Sequence, residues 1–141
     1  MNETSVLDSQ IVGAMGAMVF LTISTMVILL MTRIWHVRKG LVSFSYFKVF
    51  DASKPVPLAI LKTSRHVTNQ FELPVLFYAG CLASMHVHKV DALMVNLAWL
   101  FVGSRVVHSF IHLTFNVVPL RLPAFLTGSV TLGVIWLRIL M

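Results

Sequence analysis

The stretch SQIVGAMGAMVFLTISTMVILLMT, residues 9–32, decides the class of this protein, because it contains no charged residue. It is longer than the roughly 20 residues that an α-helix needs to cross the hydrocarbon core of a bilayer. The residues ahead of it carry Glu3 and Asp8 but no basic side chain, and the apolar run exceeds that of a cleavable signal peptide. We therefore expect a first transmembrane helix over about residues 9–33 that stays attached.

The composition extends this membrane character to the whole chain. Of its 141 residues, 57% are hydrophobic and 11% are charged, and the mean hydropathy is +0.87. A soluble domain carries roughly 25% charged residues. These values exclude a soluble globule and a disordered chain, and the single cysteine excludes an intrachain disulfide. We predict an all-α integral membrane protein, a four-transmembrane-helix bundle that forms one domain over residues 1–141.

The charges indicate how this bundle is placed in the membrane. The predicted spans cover about residues 9–33, 62–86, 91–116 and 121–140. Seven of the eleven Lys and Arg residues lie between Arg33 and Arg65, in or beside a basic loop of about residues 34–61. Such a segment after a span is the positive-inside signal of a cytoplasmic loop, and it predicts no nucleic-acid partner. The N-terminus is then expected outside the cytoplasm.

Two of the predicted spans carry polar side chains on one helical face. Arg65, Asn69 and Glu72 follow one another at spacings of four and three residues, which places them on one stripe. The third span repeats this pattern with Arg105, His108, His112 and Asn116.

The energetic cost of these side chains restricts where they can lie. An arginine near the centre of a span opposes insertion by about 2.5 to 3.5 kcal/mol. The polar faces must therefore meet the bundle interior, a water-filled cleft or a ligand, and Glu72 and Arg105 are expected to pair. The cations Arg65, Arg105 and Arg121 outnumber Glu72, which indicates an anionic ligand. The alternative is a polar network that only locks the helices together.

The histidine pair His108 and His112 has the spacing of two ligands on one helical turn. Carboxylate or thiolate companions are missing from that span, and Arg105 would repel a cation. We predict no metal site.

Two segments resemble a known family. RHVTNQFE, residues 65–72, resembles the R-x-x-x-N-x-x-E signature of the MAPEG family, the membrane-associated proteins in eicosanoid and glutathione metabolism. RVVHS, residues 105–109, with Arg121 downstream, resembles the corresponding segment of the prostaglandin E synthase branch. The local sequence at residues 71–78 and 108–116 resembles the bacterial-type branch of the family. The resemblance to the family covers essentially the whole chain.

This resemblance implies a homotrimer that holds glutathione between neighbouring subunits, near the cytoplasmic side. Glutathione would act as a co-substrate, and a lipophilic small molecule would reach it from the lipid bilayer. Carried over by position, the glutathione-binding residues would be Arg65, Asn69 and Glu72, with either Arg33 or Arg38 completing the site. Arg105 and Arg121 would assist binding or stabilise the thiolate.

Two positions depart from the family pattern. His112 stands where many members have tyrosine, and Gln70 stands where aspartate is common. His112 could supply a hydrogen bond or act as a base. The leading hypothesis is a glutathione-dependent transferase or peroxidase acting on a lipophilic electrophile or lipid hydroperoxide in a bacterial inner membrane. The alternative is a non-catalytic lipid-binding or scaffold protein of the same fold.

Overall fold

The structure, a computed structural model, describes residues 3–49 and 55–141. Within them the chain forms six helices in the following order: α1 Glu3–Arg38, α2 Tyr46–Val49, α3 Leu58–Gln70, α4 Leu73–His86, α5 Ala92–Leu113 and α6 Val118–Leu140. Of the helices described, α1, α5 and α6 are long and apolar enough to cross a membrane. The protein is therefore an all-helical integral membrane protein. That the chain crosses the membrane four times is still a prediction.

The second predicted span, about residues 62–86, contains parts of two helices. α3 has 13 residues and α4 has 14, and the helical path is interrupted at Phe71 and Glu72. Pro74 explains the interruption, because its ring lacks an N–H donor and clashes with the carbonyl of residue 70 in a continuous helix. α3 also begins earlier than predicted, directly after Pro57.

The helices pack around α5. α6 lies against α5 and α4, whereas α1 packs on α3, α4 and α5. A glycine permits the close approach of α6 to α5. A Cβ atom added at Gly128 would lie 2.7 Å from the Ser104 hydroxyl oxygen, which is closer than packed atoms approach.

The interior of the bundle divides into an apolar half and a polar half. In the apolar half, buried side chains of α1, α4, α5 and α6 form one hydrophobic core, in which the Phe77 and Phe101 rings stack 4.5 Å apart. At the end of the apolar half, an ion pair of 2.6 Å joins Arg138 near the end of α6 to Asp91 at the start of α5. The polar half holds α3, the second half of α5 and the start of α6, where most of the polar residues singled out in the sequence lie.

The predicted cytoplasmic loop, about residues 34–61, lies partly outside the described residues. α1 extends to Arg38, and the chain then turns at Gly40. The φ angle of Gly40 is +68°, a backbone conformation that residues other than glycine rarely adopt. The short helix α2 returns to α1, where the Arg33 guanidinium lies 5.1 Å from the centre of the Phe47 ring.

Candidate functional site

The inner face of α5 carries a row of buried polar side chains. Arg105 is 0% exposed, His108 is 2% exposed and His112 is 3% exposed, and Ser109 is buried beside them. The helical period places these residues on one side of α5, as the sequence predicted. The remaining member, Asn116, lies beyond the end of α5 with a φ of 51° and accepts a hydrogen bond of 2.8 Å from Arg121.

A second set of buried polar side chains faces this row from α3. His66 and Gln70 are buried, and the Gln70 amide nitrogen lies 2.8 Å from the Ser109 hydroxyl and 3.3 Å from His66 Nε2. The His66 ring lies 4.8 Å from the His112 ring and 6.1 Å from the His108 ring. We name His66, Gln70, Arg105, His108, Ser109 and His112 the interior polar cluster.

The sequence prediction missed the α3 members of this cluster. His66 and Gln70 are four residues apart, and Thr63, also buried, precedes His66 by three. The same spacing defines the stripe of Arg65, Asn69 and Glu72. Charge alone favoured the stripe of Arg65, Asn69 and Glu72 in the sequence. Charge does not determine which face of a helix is buried in the bundle.

The predicted stripe of Arg65, Asn69 and Glu72 instead lies at the surface of the chain. Arg65 and Glu72 are exposed and Asn69 is half-buried. Among the residues that the structure describes, the direct ion pair expected between Glu72 and Arg105 is not formed, although the Glu72 carboxylate lies close enough to interact electrostatically with Arg105. Pro74 interrupts the helix before Glu72, and the Arg105 guanidinium donates to the Asn69 carbonyl at 3.1 Å.

That carbonyl belongs to the last turn of α3, where carbonyl groups lack a partner within the helix. Lys62 acts in the same way at the end of α5, donating to the carbonyls of Leu113 at 2.8 Å and Thr114 at 3.2 Å. Cations near a helix C-terminus also interact favourably with the helix dipole. Two of the positive charges, on Arg105 and Lys62, thus stabilise the C-terminal ends of helices.

The interior polar cluster nevertheless keeps unsatisfied hydrogen-bonding groups. In the part of the chain that the structure describes, its buried atoms without a hydrogen-bond partner are Arg105 Nε and Nη1, His66 Nδ1, Gln70 Oε1, both ring nitrogens of His108 and His112 Nδ1. Buried polar groups are normally paired, and most of these atoms can donate. The buried residues described include no aspartate or glutamate. The cluster is thus suited to accept a polar or anionic group.

A cavity of about 200 Å³ connects this cluster with the surface stripe. Its walls include Asn69 from α3, His108 from α5, and Arg121 and Phe125 from α6. A guanidinium, an imidazole and an amide thus line one small space.

The MAPEG family model matches residues 11–141, which is nearly the whole chain. The chain belongs to the MAPEG family. Comparison with curated proteins and with solved structures gives no significant match.

Membership of the MAPEG family makes this a membrane protein of eicosanoid and glutathione metabolism. The residues carried over from the family signature occupy two places in the structure. Arg65 and Glu72 are exposed, whereas Arg105 lies inside beside His112, and Asn69 and Arg121 line the cavity between them.

The two first-span arginines of this MAPEG chain differ in their surroundings. Arg33 is half-buried and donates to the Ser64 hydroxyl on α3 at 3.3 Å. Arg38 is exposed and lines a larger, mostly apolar cavity of about 520 Å³ beside Trp35 and His36. Arg33 is therefore the arginine held in a defined position next to the helix that carries Arg65.

Proposed function

We propose that this protein is a homotrimeric, membrane-embedded, glutathione-dependent transferase or peroxidase that acts on a lipophilic electrophile or a lipid hydroperoxide. The observation that carries the proposal is the exposed position of Arg65 and Glu72 in a segment expected within the membrane. Charged side chains at that depth need a polar partner rather than lipid. A neighbouring copy of the chain and a bound, multiply charged ligand would provide one.

Glutathione has the complementary charges. Its two carboxylates suit guanidinium groups, and its ammonium group suits a carboxylate. Arg65, Asn69, Glu72 and Arg121 of one subunit would bind the tripeptide, and Arg33 of a neighbouring subunit would complete the site. This division follows the site between subunits that the family resemblance implies.

The reaction would depend on the thiol of glutathione. Arg121, assisted by the buried charge of Arg105, would stabilise the thiolate at the cavity. In a transfer reaction, the sulfur attacks the electrophilic carbon, a C–S bond forms, and the leaving group departs or the adduct takes up a proton.

With a hydroperoxide, the sulfur attacks the terminal oxygen and the O–O bond breaks. The alkoxide then takes a proton from His112 or water, and the glutathione sulfenic acid condenses with a second glutathione to give the disulfide and water.

A second candidate function is a lipid-binding or scaffold protein of the same fold without turnover. It is favoured by the hydrogen bonds that Lys62, Arg105 and Arg121 already make within the chain, and by histidine at the position of the common tyrosine.

The basic end of α1 also supports an orientation. Arg33, Arg38 and Lys39 lie together at this end. We infer that it lies on the cytoplasmic side of a bacterial inner membrane and that the N-terminus lies on the other side.

Calorimetry with glutathione on the detergent-solubilised protein tests the proposal. We expect saturable binding that weakens in the variants Arg65→Ala and Glu72→Ala, together with turnover of a generic electrophile or a lipid hydroperoxide. Absence of saturable binding by the unmutated protein would contradict both activities. Binding without turnover would favour the second candidate.

A further inference from the structure

The two departures from the family pattern, Gln70 and His112, meet at one side chain in the structure. Gln70 contacts His66 Nε2 at 3.3 Å, and the His66 ring lies 4.8 Å from the His112 ring with an angle of 44° between the planes. All three side chains are buried between α3 and α5.

The hydrogen bond between Gln70 and His66 selects one tautomer of His66. An amide nitrogen can only donate, so His66 Nε2 accepts and the proton of the neutral ring lies on Nδ1. The same amide nitrogen donates its second hydrogen to Ser109 at 2.8 Å. Gln70 is thereby held against α5, and the His66 ring is held by Gln70.

His112 depends on its neighbours for its orientation. Its Nδ1 atom has no hydrogen-bond partner among the described residues, and its ring forms a triangle with those of His66 and His108, 4.8 Å from the former and 5.8 Å from the latter. The packing of His66 against His112 therefore limits the rotation of the His112 ring.

We propose that Gln70 and His66 are positioning residues for His112: Gln70 fixes the orientation and tautomer of His66, and His66 holds the His112 ring in one orientation within the interior polar cluster. That His112 contributes to a reaction rests on the proposed function, whereas the fixed orientation of its ring does not.

Nuclear magnetic resonance of the detergent-solubilised full chain, labelled with ¹⁵N in the histidine rings, tests the positioning without any substrate. The His66 and His112 signals are assigned with His66→Phe and His112→Phe. We expect His66 protonated on Nδ1, and a His112 signal that shifts or broadens in Gln70→Leu. A proton on His66 Nε2, or a His112 signal unchanged in Gln70→Leu, would overturn the proposal.

The variant Gln70→Glu keeps the length of the side chain but replaces the donor by an acceptor. It would accept from the Ser109 hydroxyl and from His66 Nε2–H, so we expect the His66 proton to move to Nε2 while the His112 signal stays sharp. A His112 signal as broad as in Gln70→Leu would contradict the proposal.

Kinetics with glutathione test the consequence for turnover. At metal sites, loss of the partner that orients a bound histidine lowers activity about 10-fold or more, and we expect an effect of the same order for the partner that orients His112. We therefore expect Gln70→Leu to lower kcat about tenfold with KM for glutathione nearly unchanged, and Gln70→Glu to recover most of kcat. His112→Phe and its double variant with Gln70→Leu should be equally impaired. Additive losses, or a loss in KM alone, would contradict positioning.

Ser84→Ala is the matched control, because Ser84 is also buried and its hydroxyl donates to the Cys81 carbonyl within its own helix, α4. It should change neither the histidine signals nor kcat. If the unmutated protein neither binds nor turns over glutathione, the proposed function fails, and the histidine spectra alone decide the positioning.

Discussion

Arg105, buried on α5, donates a hydrogen bond of 3.1 Å to the main-chain carbonyl of Asn69 at the end of α3. Lys62 serves the end of α5, and Lys89 donates to the Ile139 carbonyl near the end of α6 at 3.0 Å. Three cations of the described chain thus support helix C-termini, where carbonyl groups and the helix dipole favour positive charge.

Replacement of Arg105 by lysine should destabilise the protein more than replacement by methionine. Lysine would bury a compact and more strongly hydrated charge in place of the guanidinium group, at a cost of about 2 to 4 kcal/mol, whereas methionine removes the charge and loses about 1 kcal/mol with the hydrogen bond. Thermal unfolding in detergent without glutathione measures the order. A methionine variant less stable than the lysine variant would indicate that the fold requires the cation itself.

Gly128→Ala should destabilise the contact between α5 and α6. The new Cβ atom would lie 2.7 Å from Ser104 Oγ, and overpacking of this kind costs about 1 to 3 kcal/mol. The double variant Gly128→Ala with Ser104→Ala should recover most of the loss, since the remaining neighbours lie at 3.7 and 3.8 Å. Gly133→Ala on the same helix is the control, because no atom lies within 4 Å of its added Cβ. Equal melting temperatures for Gly128→Ala and Gly133→Ala would be inconsistent with the close contact.

Lys62→Met should lower the free energy of unfolding by about 1 kcal/mol, because the last carbonyls of α5 lose a charged donor. Lys62→Arg should retain most of the stability. Lys39→Met, an exposed lysine next to the end of α1, provides the control for removal of one positive charge. The denaturation midpoints of the three variants measure the effect, and a similar loss in Lys39→Met would assign it to net charge.

Co-expression of two inactive variants should restore activity if the site lies between subunits. Arg33→Ala and Arg121→Ala are each expected to lose glutathione binding. In a mixed trimer with a heterologous interface, about a quarter of the sites would receive both arginines from unmutated positions. Recovery of about that fraction of turnover supports the proposed trimer, whereas no recovery would place both arginines in the same site of one subunit. Either variant co-expressed with itself is the control.

The sequence predicted the membrane class and the buried row on α5 because both depend on local pattern. A charge-free run of residues 9–32 can cross only as a helix, and the spacing of Arg105, His108 and His112 places them on one face whatever surrounds them.

The inward face of α3 could not be predicted in this way. Two stripes with the same spacing compete on that helix, one with Arg65 and Asn69 and the other with His66 and Gln70. The charge of Arg65 favoured the stripe that contains it. The predicted second span is a continuous helix that includes Glu72, whereas the break before Pro74 places Glu72 between α3 and α4.

By itself, the sequence determined that this chain is a helical membrane protein, which residues share a helical face, and which family it resembles, since these properties follow from hydropathy, period and motif. Tertiary structure alone decided which face of α3 is buried, which carbonyls receive Arg105 and Lys62, and that His66 contacts His112. These relations depend on how separate helices approach one another, and that approach is set by side-chain volume at Gly128 and by backbone geometry at Pro74 rather than by spacing along the chain.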